Sequence, residues 1–142
     1  MNTFLTEQQM ASLVEAIQTA ESHSTGEIRI HIDSNTENDN AKRAFEVFRT
    51  LKMDETKERN GVLFHVNFEN KYLTIIGDEG IHRKVSQSFW NGLHDKTTSE
   101  FAQGHYFEGL KNAVLEAGLE LKKHFPFSGE NPNELSDEIT FS

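Results

Sequence analysis

Glu27, Arg59, Asn60, Asp78, Glu79 and Gly80 are the residues whose types and placement could do chemistry in this chain. Hard divalent cations take carboxylates, amide carbonyls and backbone carbonyls, usually from loops. Glu27, Asn60, Asp78 and Glu79 offer that donor set, so Ca²⁺ or Mg²⁺ is the cofactor expected there. A helix is expected to begin at Gly80. Its free N–H groups and positive dipole end would favour an anion, with Arg59 beside it. A phosphate could then sit between the metal, Arg59 and the helix start, where a metal polarises the phosphoryl oxygen and activates a water. Structural roles compete: Asp78 or Glu79 as a helix cap, Arg59 paired with Glu79, and Asn60 as a turn residue before Gly61.

These residues can meet only if the chain between them folds back. Arg59-Asn60-Gly61 is a polar turn, and Val62 to Phe68 is almost wholly apolar and rich in β-formers. Glu69-Asn70-Lys71 turns, Tyr72 to Ile76 returns, and Gly77-Asp78-Glu79-Gly80 closes the stretch. Two such runs around a short turn predict a β-hairpin, which sets Arg59 and Asn60 beside Asp78 and Glu79. Glu27 to Asp33 alternates strictly: Ile28, Ile30 and Ile32 on one face, Glu27, Arg29, His31 and Asp33 on the other. A helix carrying Ala41, Ala44, Phe45, Phe48 and Leu51 links this strand to the hairpin. Strand-helix-strand units of this length give parallel pairs with a right-handed crossover. Glu27 is then placed on the rim with Asn60 and Asp78, and Asp33 at the far end. Val62–Phe68 is apolar on both faces and reads as a central strand, with His65 buried and hydrogen-bonded.

Thr6 and Gln9 form a capping-box pair, with Leu5 set to staple onto Met10, ahead of a helix with Leu13, Val14 and Ile17 inward. Asp33 to Asp39 alternates oxygen ligands like an EF-hand loop. However, Asn38 stands where the turn needs Gly and Ala44 where the bidentate Glu belongs, so a polar loop capping the next helix is expected. Met53 to Glu58 is a polar connection with room for a helical turn. After Gly80 one helix is expected through Ile81, Val85, Phe89 and Leu93, then a short one over Thr97 to Gly104. Tyr106 to His124 is the last long helix, stopped by Pro126. The acidic segment 128–142 reads as a tail outside a single domain over 1–127, with Ile139 and Phe141 able to dock or add an edge strand. The order α-β-α-β-β-α-α argues for one mixed sheet of three to four strands between helices, an α/β class fold.

Composition narrows the function. Fourteen basic against 23 acidic residues give a formal charge of −9, which repels nucleic acid and anionic membranes. Mean hydropathy is −0.62, and no apolar run approaches the length of a membrane helix. Residues 1–5 lack the features of a signal peptide, so a cytoplasmic protein is expected. Cysteine is absent, which excludes disulfides and thiolate chemistry. The seven histidines include no HExxH pair, and there is no P-loop, no dinucleotide fingerprint and no G-x-S-x-G elbow.

Three stretches stand out in order and spacing: Thr25-Gly26-Glu27-Ile28-Arg29, Arg59-Asn60-Gly61-Val62-Leu63 and Ile76-Gly77-Asp78-Glu79-Gly80-Ile81. Further along come Trp90, Phe101, Tyr106, Gly109, His124-Phe125-Pro126 and Asn133 to Ile139. On these residues rests a resemblance to the TPM-domain family, often labelled TPM phosphatase, in its short soluble bacterial form. It implies a three-layer α/β/α sandwich and binding of divalent cations, calcium in particular, at loops by one end of the sheet. It also brings an acid-phosphatase label from plant members. The family's common Asp-Arg in the hairpin turn is replaced here by Glu69-Asn70-Lys71. The expectation is a non-enzymatic, monomeric binding or regulatory module for a divalent cation; the alternative is a weak metal-dependent acid phosphatase. A phosphate-bearing ligand or another protein are the further partners considered.

Overall fold

Thr6 starts the first helix, α1 (Glu7–Glu21), because its Oγ1 accepts from Gln9 N while Gln9 Oε1 accepts from Thr6 N, both at 3.0 Å. Leu5 is buried and Met10 packs against the same core. Thr6→Ala is expected to lower unfolding free energy by about 1 kcal/mol while Thr6→Ser leaves it unchanged, measured by urea denaturation.

The computed structural model describes residues 5–34, 39–127 and 136–142. After α1 come β1 (Glu27–Asp33), α2 (Asn40–Thr50), a 3₁₀ turn at Met53–Glu55, β2 (Gly61–Asn67) and β3 (Tyr72–Gly77). They are followed by α3 (Glu79–Lys84), α4 (Gln87–Ala102), α5 (Tyr106–His124) and β4 (Thr140–Phe141). The sheet order is β3-β2-β1-β4. β1 runs parallel to β2 and to β4, and β3 is antiparallel to β2. Helices cover both faces, giving the expected α/β/α sandwich. Ile28, Ile30, Ile32, Val62, Phe64 and Val66 pack with α1, α4 and α5 on one face, and Leu63 meets Val47 and Phe48 of α2 on the other. All seven residues of β2 are buried, as a central strand requires.

Two expectations change, and one left open is decided. The helix predicted through Ile81, Val85 and Phe89 is two helices. Val85 is extended (φ −110°, ψ 130°) and Ser86 takes the N-cap position of α4. The four-residue apolar spacing survives the break because Val85 is still buried in the main core. The short helix expected over 97–104 is instead the end of α4, which stops before Gly104, at φ +81°. The segment 136–142 adds β4, with His31 opposite Thr140 and Ile32 opposite Phe141. Of the loop expected between β1 and α2, residues 35–38 lie outside the described residues. Asp39 does cap α2, accepting from Lys42 N at 3.0 Å.

The polar face of β1 is a buried network. Asp33 accepts from Arg43 Nε at 2.6 Å and bonds His65 Nε2 at 3.2 Å. His31 stacks on His65, with ring centroids 5.8 Å apart, and bonds Thr140 Oγ1 at 2.6 Å and Ser142 Oγ at 2.7 Å. This is the buried, hydrogen-bonded histidine foreseen at position 65.

Candidate functional site

Parallel pairing of β1 with β2 sets Glu27 opposite Gly61, and Asp78 N donates to Gly61 O at 3.0 Å. Glu27, Asn60 and Asp78 therefore share one rim of the sheet, while Asp33 lies opposite Asn67 at the other end. The rim has an inner and an outer half.

Asn60 and Glu27 make the inner half, and both are buried. Asn60 Nδ2 donates to Thr25 Oγ1 at 3.2 Å, and its backbone carbonyl accepts from Glu27 N at 3.4 Å. Asn60 Oδ1 is buried and has no hydrogen-bond partner among the described residues. An acceptor stripped of water without a donor costs about 1–3 kcal/mol, so this oxygen is primed for a cation or a water. The end of α1 adds a second acidic group. Glu21 is 7% exposed, and its Oε2 accepts from Ile28 N at 2.7 Å. Its carboxyl is pushed up to about 11, by burial first, then by contact with the Asp137 carboxyl and the charge of Glu27. Glu21 carries no motif in the sequence, and Asp137 enters it only within the Asn133 to Ile139 stretch of the resemblance. They stand far apart along the chain, and Glu21 reads there as the polar last turn of an amphipathic helix.

Arg59, Asp78, Glu79 and Gly80 make the outer half. Arg59 grips Asp78 with both arms, Nε–Oδ2 at 2.7 Å and Nη2–Oδ1 at 2.9 Å. Asp78 also caps α3, its Oδ1 accepting from Glu79 N at 2.8 Å. Glu79 is exposed and divides its carboxylate between Arg83 at 2.6 Å and Arg59 at 3.6 Å. Arg59 reaches this position from a left-handed backbone, φ +52°, after a turn in which Thr56 O accepts its N–H. Gly80 lies directly on that turn. Its N–H donates to Arg59 O at 2.8 Å, and a Cβ there would fall 2.3 Å from Glu58 O. The two groups expected to receive an anion, the Arg59 fork and the Gly80 N–H, are thus bonded within the chain.

The expected cation ligands differ in availability. Asn60 Oδ1 is an unclaimed hard donor, and the Glu27 backbone lies next to Asn60, its N–H donating to the Asn60 carbonyl at 3.4 Å. Asp78 is claimed by a guanidinium, itself a cation. No cluster of three or more His, Asp or Glu side chains stands ready to hold a metal among the described residues. The donor chemistry suits Ca²⁺ or Mg²⁺, but a full coordination shell needs Asp78 released from Arg59.

The chain belongs to the TPM domain family, whose pattern matches residues 1–119. It is similar to the BA42 protein of the psychrophilic bacterium Bizionia argentinensis, solved by NMR, at 39% identity and a TM-score of 0.93. That match covers 100% of this chain and 98% of the other. The N-terminal domain of a protein from P. gingivalis, also solved by NMR, shares the fold at 17% identity and a TM-score of 0.71. There the coverage is 89% of this chain and 83% of the other. No curated protein matches. Among the described residues, no helix is long and apolar enough to cross a membrane.

Proposed function

We propose that this TPM domain is a non-enzymatic binding module for a divalent cation, Ca²⁺ or Mg²⁺, seated on the rim at Glu27, Asn60, Asp78 and Glu79. The unpartnered buried Oδ1 of Asn60 carries the reading. Arg59 acts as a stand-in cation that holds Asp78 until the metal displaces it. Its side chain is 44% exposed, so it can swing into solvent without disturbing the core.

The phosphatase alternative needs the start of α3 free to receive a phosphate. The Gly80 N–H there is spent on the Arg59 carbonyl, and α3 is only six residues long.

Titrating Ca²⁺, and separately Mg²⁺, into the ¹⁵N-labelled protein tests the proposal. Shifts are expected at 26–27, 59–61 and 78–81. Arg59→Gln removes the competing charge and should tighten binding about fivefold, the scale of one like charge a few ångströms away near water. Absence of shifts at millimolar metal, or weaker binding by Arg59→Gln, overturns it.

A further inference from the structure

Among the described residues β3 is an outer strand of the sheet, bonded to β2 on one side only. Two hydrogen bonds define which of its backbone groups face outward. Asp78 N donates inward to Gly61 O at 3.0 Å, while the Leu73 carbonyl accepts from His94 Nε2 of α4 at 2.8 Å. Antiparallel ladders alternate, so Tyr72, Thr74 and Ile76 bond toward β2, and Leu73 and Ile75 present their polar groups to the open side. Among the described residues nothing bonds the Leu73 N–H or either polar group of Ile75 from that side.

This edge floors a cavity of about 470 Å³, walled by the start of α2 and by α4. Trp90 of α4 lines it and is 7% exposed, and its indole N–H has no acceptor among the described residues. Thr74 Oγ1, also on the lining, is buried and unpartnered. A buried donor left unmet costs about 1–3 kcal/mol, so Trp90 marks a place where an incoming acceptor is rewarded. Charge narrows the occupant. Asp39 is the single carboxylate on the described lining, no Lys or Arg lies there, and the whole chain carries −9. An anionic ligand is therefore opposed, and a neutral or basic one is favoured.

We infer that this groove takes an extended, neutral or basic peptide segment of another protein, which adds to β3 as a fifth strand. Its backbone pairs with the Leu73 N–H and both polar groups of Ile75, a carbonyl or small polar side chain accepts from Trp90 Nε1, and a lysine or arginine lies near Asp39. An exposed sheet edge recognises backbone in this way, with flanking pockets supplying selectivity. The groove is separate from the cation rim, and the two readings stand or fall independently.

Peptides selected from a displayed random library against the full chain, then synthesised and titrated into the ¹⁵N-labelled protein, provide the test. The enriched peptides should be poor in Asp and Glu. They should shift the amides of residues 73–75 and the indole signal of Trp90, the only tryptophan in the chain. Trp90→Phe keeps most of the ring and removes the donor; it should weaken binding about tenfold while the remaining spectrum stays folded. Asp39→Asn retains the helix cap and should weaken lysine-bearing peptides selectively. No enrichment, acidic consensus sequences, shifts confined to other surfaces, or full affinity in Trp90→Phe would each overturn the inference. So would a small molecule that shifts the same signals when no peptide does.

Discussion

Gly80→Ala is expected to destabilise the protein by roughly 3 kcal/mol, the upper part of the range for overpacked sites, and to lower Tm by about 10 °C. The added methyl would lie 2.3 Å from Glu58 O and 2.7 Å from Arg59 O. Both are backbone atoms, so no side-chain rotation relieves the contact. The turn must move away, which breaks the bond from Gly80 N to Arg59 O and draws Arg59 off Asp78. Gly92→Ala is the matched control. Nothing lies within 4 Å of its added Cβ, and it sits inside α4. There alanine should stabilise by about 0.5–1 kcal/mol. Calorimetry of the two variants gives shifts of opposite sign; a Gly80→Ala protein that melts with the wild type contradicts the packing described at the rim.

Acid should weaken the fold through His31. Burial first, and then the neighbouring His65, push its imidazole down to about 4. Asp33 pulls the other way, while Arg43 and Arg29 reinforce the depression. The folded state therefore holds His31 neutral where the unfolded chain, with a pKa near 6.5, takes up a proton. Stability is complete above pH 6.5 and falls as pH drops toward 4, by about 3 kcal/mol at that end. Burial also lowers His65, and Asp33 opposes it, so His65 adds to the loss in the same direction. Glu21 runs against both. Its raised pKa means the unfolded chain loses a proton that the fold retains, which costs stability as pH climbs above about 4.5. Between pH 4.5 and 6.5 the Glu21 slope opposes those of the histidines, so the wild-type curve alone does not isolate His31. The difference between wild type and His31→Gln removes the Glu21 contribution. That difference should change by about 3 kcal/mol between pH 7 and pH 4 in urea titrations. A difference independent of pH would mean His31 titrates normally in the fold.

Much of the architecture could be read from residues before any coordinates. Period-two alternation in Glu27–Asp33 and the two runs around Glu69-Asn70-Lys71 define three strands, because side-chain direction in a strand is local. The crossover rule then carried Glu27 to the rim of Asn60 and Asp78, where β1–β2 pairing places it. The break at Val85–Ser86 was hidden because a single extended residue leaves the apolar spacing intact. β4 was legible only as an option, since two residues carry almost no periodicity and its partner β1 lies more than a hundred positions earlier. At the site, residue types could suggest a cluster but not who bonds whom. Among the structural roles open to Arg59 in the sequence is an ion pair with Glu79. In the fold it takes Asp78 at 2.7 Å and reaches Glu79 only at 3.6 Å, because the left-handed turn aims the guanidinium at the helix cap. Glu21 and Asp137 meet through tertiary packing alone, and no local pattern announces that.

The pairing of β1 with β4 has a kinetic consequence. Ser34 N donates to Ser142 O at 2.8 Å and Ser142 N to Ile32 O at 3.0 Å, so strand and tail close a loop of more than a hundred residues, from α2 onward. Loop closure of that span is entropically dear and rewarded by few contacts, and it should come after the hairpin and helices have assembled. The amides of Ser34 and Ser142 are then expected to exchange with deuterium well before those of β2, through openings that leave the remaining sheet intact. Each such opening would briefly admit water to the stacked imidazoles of His31 and His65, so protons would reach this interior by unzipping of the tail rather than by global unfolding.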